Sequence, residues 1–128
     1  MRLLVCGGRS FGLVHSEKLT ISNALQTLHN MRRITLLIHG AARGADSIAA
    51  SIAHANQITC AAFPANWALH GKSAGARRNT MMLQAQPDLI LAFPGGRGTA
   101  DMVCKALQGG FTVINCDANG ALRESKPL

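Results

Sequence analysis

Apolar residues in this chain come in short unbroken runs, and between the runs the pattern changes its period. "RLLVC" (2–6), "ITLLIH" (34–39), "ITCAAF" (58–63), "DLILAF" (88–93) and "FTVINC" (111–116) are each nearly continuous in apolar residues. Strands covered on both faces read this way, because neither face has to meet water. The segments between them, about 15–31, 45–56, 75–86 and 99–108, are rich in Ala, Leu, Gln or Met and predict helices. In the first, Leu19, Ile21, Leu25 and Leu28 recur at roughly helical spacing. In the second, Ala45, Ile48, Ala49, Ile52 and Ala53 make a face small enough to lie close on a sheet, and Met81 and Met82 read as core in the third. Strand alternating with helix predicts an α/β fold, an open and mainly parallel sheet of about five strands with helices on both faces. Residues 1–116 form one domain on this pattern, and the polar tail 117–128, ending "ESKPL", is predicted to fray.

In a doubly wound sheet, ligands sit beyond the carboxyl ends of the strands, where loops lead into helices. Each of those loops is unusual here. They read "GGRSFG" (7–12), "GAARGADS" (40–47), "PANWALHGKSAGARRN" (64–79) and "PGGRGT" (94–99). Arg9, Arg43, Lys72, Arg77, Arg78 and Arg97 all fall at that edge, whereas the opposite edge has mainly Arg32, Arg33 and Asp88. The formal net charge of +7 is therefore sorted by position, which favours a localised anion site.

Composition narrows the class further. At 128 residues the chain holds one core, and with 4% aromatic residues that core is built from Ala, Val, Ile and Leu. No run reaches the roughly 18 apolar residues of a membrane span, so no membrane partner is predicted. "MRLLVCGG" has too short an apolar stretch and no small-residue cleavage site for a secretory signal. Cys6, Cys60, Cys104 and Cys116 are widely spaced, form no C-x-x-C pair, and Cys6, Cys60 and Cys116 lie in apolar runs where a thiol packs as a small hydrophobe. Reduced thiols without a leader predict a cytoplasmic protein. No His, Cys and Asp cluster has metal-ligand spacing, so no metal is predicted.

The stretch "PGGRGTADM" (94–102) carries the sharpest chemistry. Gly95, Gly96 and Gly98 let the backbone turn tightly and approach a ligand closely. Thr99 is placed to cap the helix that follows, whose first amides then face the loop and suit a phosphate. Arg97 adds a charge. The lysine of a G-x-x-x-x-G-K-[ST] loop is missing, and so is G-x-G-x-x-G, which disfavours an ordinary ATPase or a nicotinamide dehydrogenase. As a bare turn with a capping Thr the loop would need no ligand, but its neighbours at the same edge are glycine-rich and basic as well.

"GAARGAD", "PANWALHGKSAGARRNTMM" and "LAFPGGRGTADMV" together resemble the YspA-like branch of the SLOG superfamily, over about residues 2–115. The superfamily also includes the LOG phosphoribohydrolases and the DprA family. The resemblance implies a Rossmann-like fold, a nucleotide-derived ligand on the PGG-x-GT loop, no cofactor, and a homodimer as in most LOG enzymes. Those enzymes cleave the N-glycosidic bond of nucleoside 5′-monophosphates. Their pattern is PGG-x-GT-x-x-E with an upstream M-x-x-R-K that supplies a catalytic Arg. Arg78 falls close to that Arg but is followed by Asn79, and Met102 stands at the Glu position with Asp101 one residue before it.

Cleaving an N-glycosidic bond needs a carboxylate near an oxocarbenium-like centre. Of the six acidic residues, Asp46, Asp101 and less clearly Asp117 lie at the ligand edge. Asp101, two residues past Thr99, is the first choice for chemistry together with Arg78; either aspartate could instead simply complement a helix dipole. The ligand-binding candidates are Gly7, Gly8, Arg9, Gly40, Arg43, Gly44, Asp46, Trp67, Lys72, Arg77, Asn79, Gly95, Gly96, Arg97, Gly98 and Thr99. Trp67 offers a ring for a nucleobase or a pin for its loop. His39 and His70 are weaker proton-carrier candidates. Three functions stay open: a nucleoside-phosphate or ADP-ribose N-glycosidase, a nucleotide sensor or sequestering module without turnover, and a single-stranded nucleic-acid binder. One Trp and four Phe are few rings for stacking successive bases, which counts against the last.

Overall fold

A computed structural model describes residues 1–127. Its six strands are β1 (Arg2–Cys6), β2 (Leu36–His39), β3 (Thr59–Ala62), β4 (Leu89–Ala92), β5 (Val113–Cys116) and β6 (Leu122–Ser125). The helices are α1 (His15–Met31), α2 (Ala45–Ala55), the single turn α3 (Trp67–His70), α4 (Ala74–Gln84) and α5 (Arg97–Gln108), with a 3₁₀ turn at Gly71–Ser73 before α4. The sheet runs β3-β2-β1-β4-β5-β6, parallel throughout except for β6. From β1 the chain moves outward through β2 and β3, then returns to the other side of β1 for β4. The carboxyl ends of β1 and β4 thus flank the point where strand order reverses, and a doubly wound sheet opens its ligand crevice there.

Alternation along the strands divides the core. Leu3 and Val5 point to one face, where Ile21, Leu25 and Leu28 of α1 and Ala45, Ala49 and Ala53 of α2 cover them. Leu4 and Cys6 point to the other, against Met82 of α4 and Met102 and Ala106 of α5. The alanine face of α2 packs as its small residues predict. Leu19 does not join α1's buried stripe and is 49% exposed, because two residues from Ile21 is more than half a turn round a helix. Met81 likewise faces solvent beside buried Met82, since adjacent helical positions point about 100° apart.

Two expectations about the ends of the sheet change. β3 reads as a strand buried on both faces, yet Thr59, Cys60 and Ala62 are exposed, because β3 is the outer strand and no helix covers its far side. Cys60 is thus an exposed thiol and not a core one, as is Cys104; Cys6 and Cys116 are buried, and all four are free. The tail expected to fray turns back instead. Asp117 accepts the amides of Asn119 and Ala121 on one carboxylate oxygen, Gly120 takes φ +90°, and β6 pairs antiparallel with β5. The Asn-Gly pair is a hairpin signal that overrides the polar composition around it.

Met102, at the position where the LOG pattern has its Glu, is fully buried between α5 and the sheet. Replacing it with Ala is expected to lower stability by about 2–5 kcal/mol, read from urea unfolding. Met102→Glu is expected to cost at least as much, since it would place an unpaired carboxylate in the core.

Candidate functional site

The loops after β1, β2 and β4 meet above the end of β1. The Gly8 amide donates to the Pro94 carbonyl at 2.8 Å, and the Gly8 carbonyl accepts from Ala45 at 3.2 Å, the first residue of α2. A side chain at Gly44, which has φ +78°, would strike the backbone of Gly8 and Arg9. One at Gly95 would strike Thr99 and the Gly8 amide. Phe11 stacks on Phe93 with ring centroids 5.8 Å apart and pins the first loop to the core. Above this platform lies an open cavity of about 430 Å³. Of the residues singled out in the sequence, Gly7, Gly8, Arg9, Asp46, Trp67, Arg78, Asn79, Gly96, Arg97, Gly98 and Thr99 line it.

α5 begins at Arg97 with Gly96 as its N-cap residue, two positions before the predicted start. Thr99 is therefore the third helical residue and not the cap, and no side chain caps this helix. The first intrahelical bond of the turn comes from Ala100 to the Gly96 carbonyl, at 3.0 Å. The amides before it have no acceptor within the helix, and they face the cavity with the positive end of the helix dipole.

Asp46 and Arg78 meet at one residue, Gly40. The Gly40 amide donates to Asp46 Oδ2 at 3.0 Å, and Arg78 donates to the Gly40 carbonyl at 2.6 Å. A Cβ at Gly40 would collide with both side chains, so only glycine allows the pair to close in. Asp46 is buried, and burial raises its pKa above the ordinary value, opposed by the amides of Gly40 and Ala42 and by the Arg78 charge. Burial lowers the pKa of Arg78, against which Asp46 acts. Cys6, at the floor of the cavity, is pushed far above the usual thiol range by burial, with Asp46 adding to the shift. It is an inert thiol at neutral pH.

Asp101 lies elsewhere. It does not line the cavity; its Oδ2 accepts from Asn79 Nδ2 at 3.0 Å and pairs with Lys105 Nζ at 3.0 Å. Lys105 also donates to the Ala76 carbonyl, and buried Asn79 also donates to the Gly98 carbonyl. The Asn79 oxygen accepts from Arg78 Nε at 3.0 Å. Asn79, Asp101 and Lys105 thus form a brace that ties α4 to the start of α5 and orients Arg78. A short aspartate one residue before the LOG Glu position leaves the helix on the side of α4, away from the ligand edge.

Trp67 is 48% exposed, with the Arg9 guanidinium 5.4 Å from its ring centre. Behind this pair opens a second cavity of about 230 Å³, lined by Gly40, Arg43, Pro64 and Ala65 and sharing Arg9, Ala42, Trp67 and Arg78 with the first. Lys72, in the 3₁₀ turn, is exposed and lines neither cavity. Arg77 faces a separate hollow beside Phe63 and Met81 and donates to Ser73 at 3.1 Å. His39 is buried; its Nδ1 accepts the Ala41 amide at 3.0 Å and burial lowers its pKa, so it is a neutral loop anchor. His70 lines only the hollow beside Arg77.

Sequence inspection missed Cys6, Ala42, Gly75 and Met82 as cavity residues. Gly75 had a signal: the Trp67 ring lies 3.4 Å from where its Cβ would be, so a glycine in α4 marks where the ring rests. The others carry no chemistry that spacing alone exposes. Among the described residues no group of three or more His, Cys, Asp or Glu is placed to hold a metal, and no helix is long and apolar enough to cross a membrane.

Residues 1–70 match the model of the YspA, cpYpsA-related SLOG family. The chain belongs to that family. It is also similar to the gene 61 protein of Mycobacterium phage D29, with 38% identity over 89% of this chain and 94% of the relative. SLOG membership points to a nucleotide-related function. The matched segment contains Gly7, Gly8, Gly40, Asp46 and Trp67, while Arg78 and the PGGRGT loop lie beyond it.

The raised pKa of Asp46 fixes a pH dependence in this SLOG domain. The native state holds the proton to higher pH than the unfolded chain, so this group's contribution is complete below about pH 3.8 and is lost as pH rises through the folded-state value. Asp46→Asn removes that loss while keeping an acceptor for Gly40. Urea midpoints of the variant are expected to gain on those of the wild type as pH rises from about 3.8 through the folded-state value. A constant offset would mean that Asp46 titrates like an exposed carboxylate.

Proposed function

We propose that the protein binds a nucleotide whose phosphate rests on the first amides of α5, with Arg78 beside the phosphate or sugar and the base against Trp67. One observation carries this. Among the described residues, Gly96 and Gly98 are the only glycines that combine an ordinary negative φ with open space where a Cβ would stand. Folding does not demand glycine at Gly98, within the first turn of α5, and both residues line the cavity at a helix N-terminus. The space their missing side chains leave suits a group that must come close to the backbone, as a phosphate does. A volume of about 430 Å³ falls in the range of small-molecule sites.

Asp46 supports hydrolysis as a second reading, because it is the carboxylate in the cavity wall. Water would add to the anomeric carbon as the carbon–nitrogen bond breaks. Asp46 would take the water's proton, and the departing base would gain one. Asp101, held by Asn79 and Lys105, acts in this scheme only through its hold on Arg78. Buried Met102 and the engaged Asp101 favour binding without turnover.

Calorimetry with AMP, ADP, ADP-ribose and NAD tests binding, and chromatography of the same mixtures tests turnover. AMP is expected to bind saturably. Arg78→Ala should weaken it by about tenfold or more, since a hydrogen bond to a charged group contributes about 1.5–3 kcal/mol. Gly98→Val should weaken it similarly while leaving the melting temperature near that of the wild type. Free base that disappears in Asp46→Asn makes the protein an N-glycosidase acting through that residue; disappearance in Asp101→Asn alone would return the role to Asp101. Intact nucleotide throughout makes it a sensor or sponge. No binding of any compound in the panel would refute the nucleotide site.

A further inference from the structure

The cavity described above has a second lobe, and the two differ in what they offer. The α5 amides and Arg97 line only the first; Arg43 lines only the second. Arg9, Trp67 and Arg78 stand between and line both. Four guanidinium groups against the one carboxylate of Asp46 leave a surplus of three positive charges over the two lobes. None of the four arginines is in a salt bridge among the described residues. A single phosphate monoester brings about two negative charges at neutral pH. It would sit in the first lobe and leave Arg43 unanswered.

Spacing follows from the sheet. α5 leaves β4 and the Arg43 loop leaves β2, with β1 between them, so the two anion positions are up to two strand spacings apart, about 5–10 Å once side-chain reach is allowed. Two phosphates joined directly in a diphosphate fall short of that range. Two phosphates on either side of a sugar fit it, with the sugar crossing over Ala42 between Arg9 and Arg78.

Resting on the nucleotide site proposed above, we infer that the second lobe is a second anion subsite, and that the preferred ligand is a nucleotide carrying two anionic groups set apart by a sugar. Adenosine 3′,5′-bisphosphate is the probe, compared by calorimetry with AMP, which has one phosphate, and ADP, which has two adjacent ones. The bisphosphate is expected to bind at least tenfold more tightly than either. In Arg43→Ala that preference should shrink to less than threefold, while Arg33→Ala, which removes an equal charge at the opposite edge of the sheet, should preserve it.

If AMP binds but the bisphosphate gains nothing, or if ADP gains as much, the subsite is overturned and the α5 phosphate site stands. If neither AMP nor the bisphosphate binds, the nucleotide site itself falls and the subsite with it. A 5′-phosphorylated oligonucleotide that outcompetes the bisphosphate, with Arg43→Ala weakening it equally, would make the two anions successive phosphates of a strand and overturn a small-molecule ligand.

Discussion

The backbone around Gly8 is confined on two sides. Its amide is bonded to the loop after β4, its carbonyl to the first turn of α2, and the backbone of Gly44 rests against it. This contact between loops sets the height at which α2 and α5 begin above the sheet, and so where their first amides point. Side chains at these positions would separate the loops, and the crevice at the strand-order reversal would lose its floor. The rest of the site is built on that close approach: Asp46 one residue into α2, Gly96 to Thr99 at the start of α5, and Arg9 on the loop between them.

Electrostatics gives the floor its character. Arginines from two loops, from α4 and from the start of α5 converge over a cavity with one carboxylate, whose pKa burial raises above its ordinary value. The Asp46 and Arg78 groups are held by the amide and the carbonyl of Gly40, so each has a partner within the protein. Preorganised cations of this kind lower the cost of receiving an anion, because the protein does not have to rearrange. The sorting of charge toward one edge of the sheet does the same at longer range.

The departure from the LOG pattern has a packing explanation. On α5, Met102 faces the sheet and is sealed against Met82 and Ala106, while Asp101 faces α4. A carboxylate at the first of these positions would have to be buried. At the second it is tied to Asn79 and Lys105. The helix turn that in the pattern supplies chemistry here braces α4 against α5 through Asp101, and through Asn79 it fixes Arg78.

The sequence determined most of the fold. Buried parallel strands are continuous apolar runs, and the alternation with helical segments leaves little choice of layer order, so β1, β2, β4, β5 and the helices α1, α2, α4 and α5 lie close to where periodicity places them. It also determined which edge carries the candidate site, because glycines and arginines cluster in the loops at the carboxyl ends of the strands. Tertiary structure decided the rest. Whether a run such as "ITCAAF" is covered depends on whether a helix lies beyond it, and at the outer strand none does. Which aspartate lines the cavity depends on the helix start, and α5 starts two residues earlier than its threonine suggests, turning Asp101 toward α4. The meeting of Asp46 with Arg78 joins positions 32 residues apart in sequence through the backbone of one glycine. Local pattern records what each segment prefers, whereas a site of this kind is made by how closely separate segments are allowed to approach.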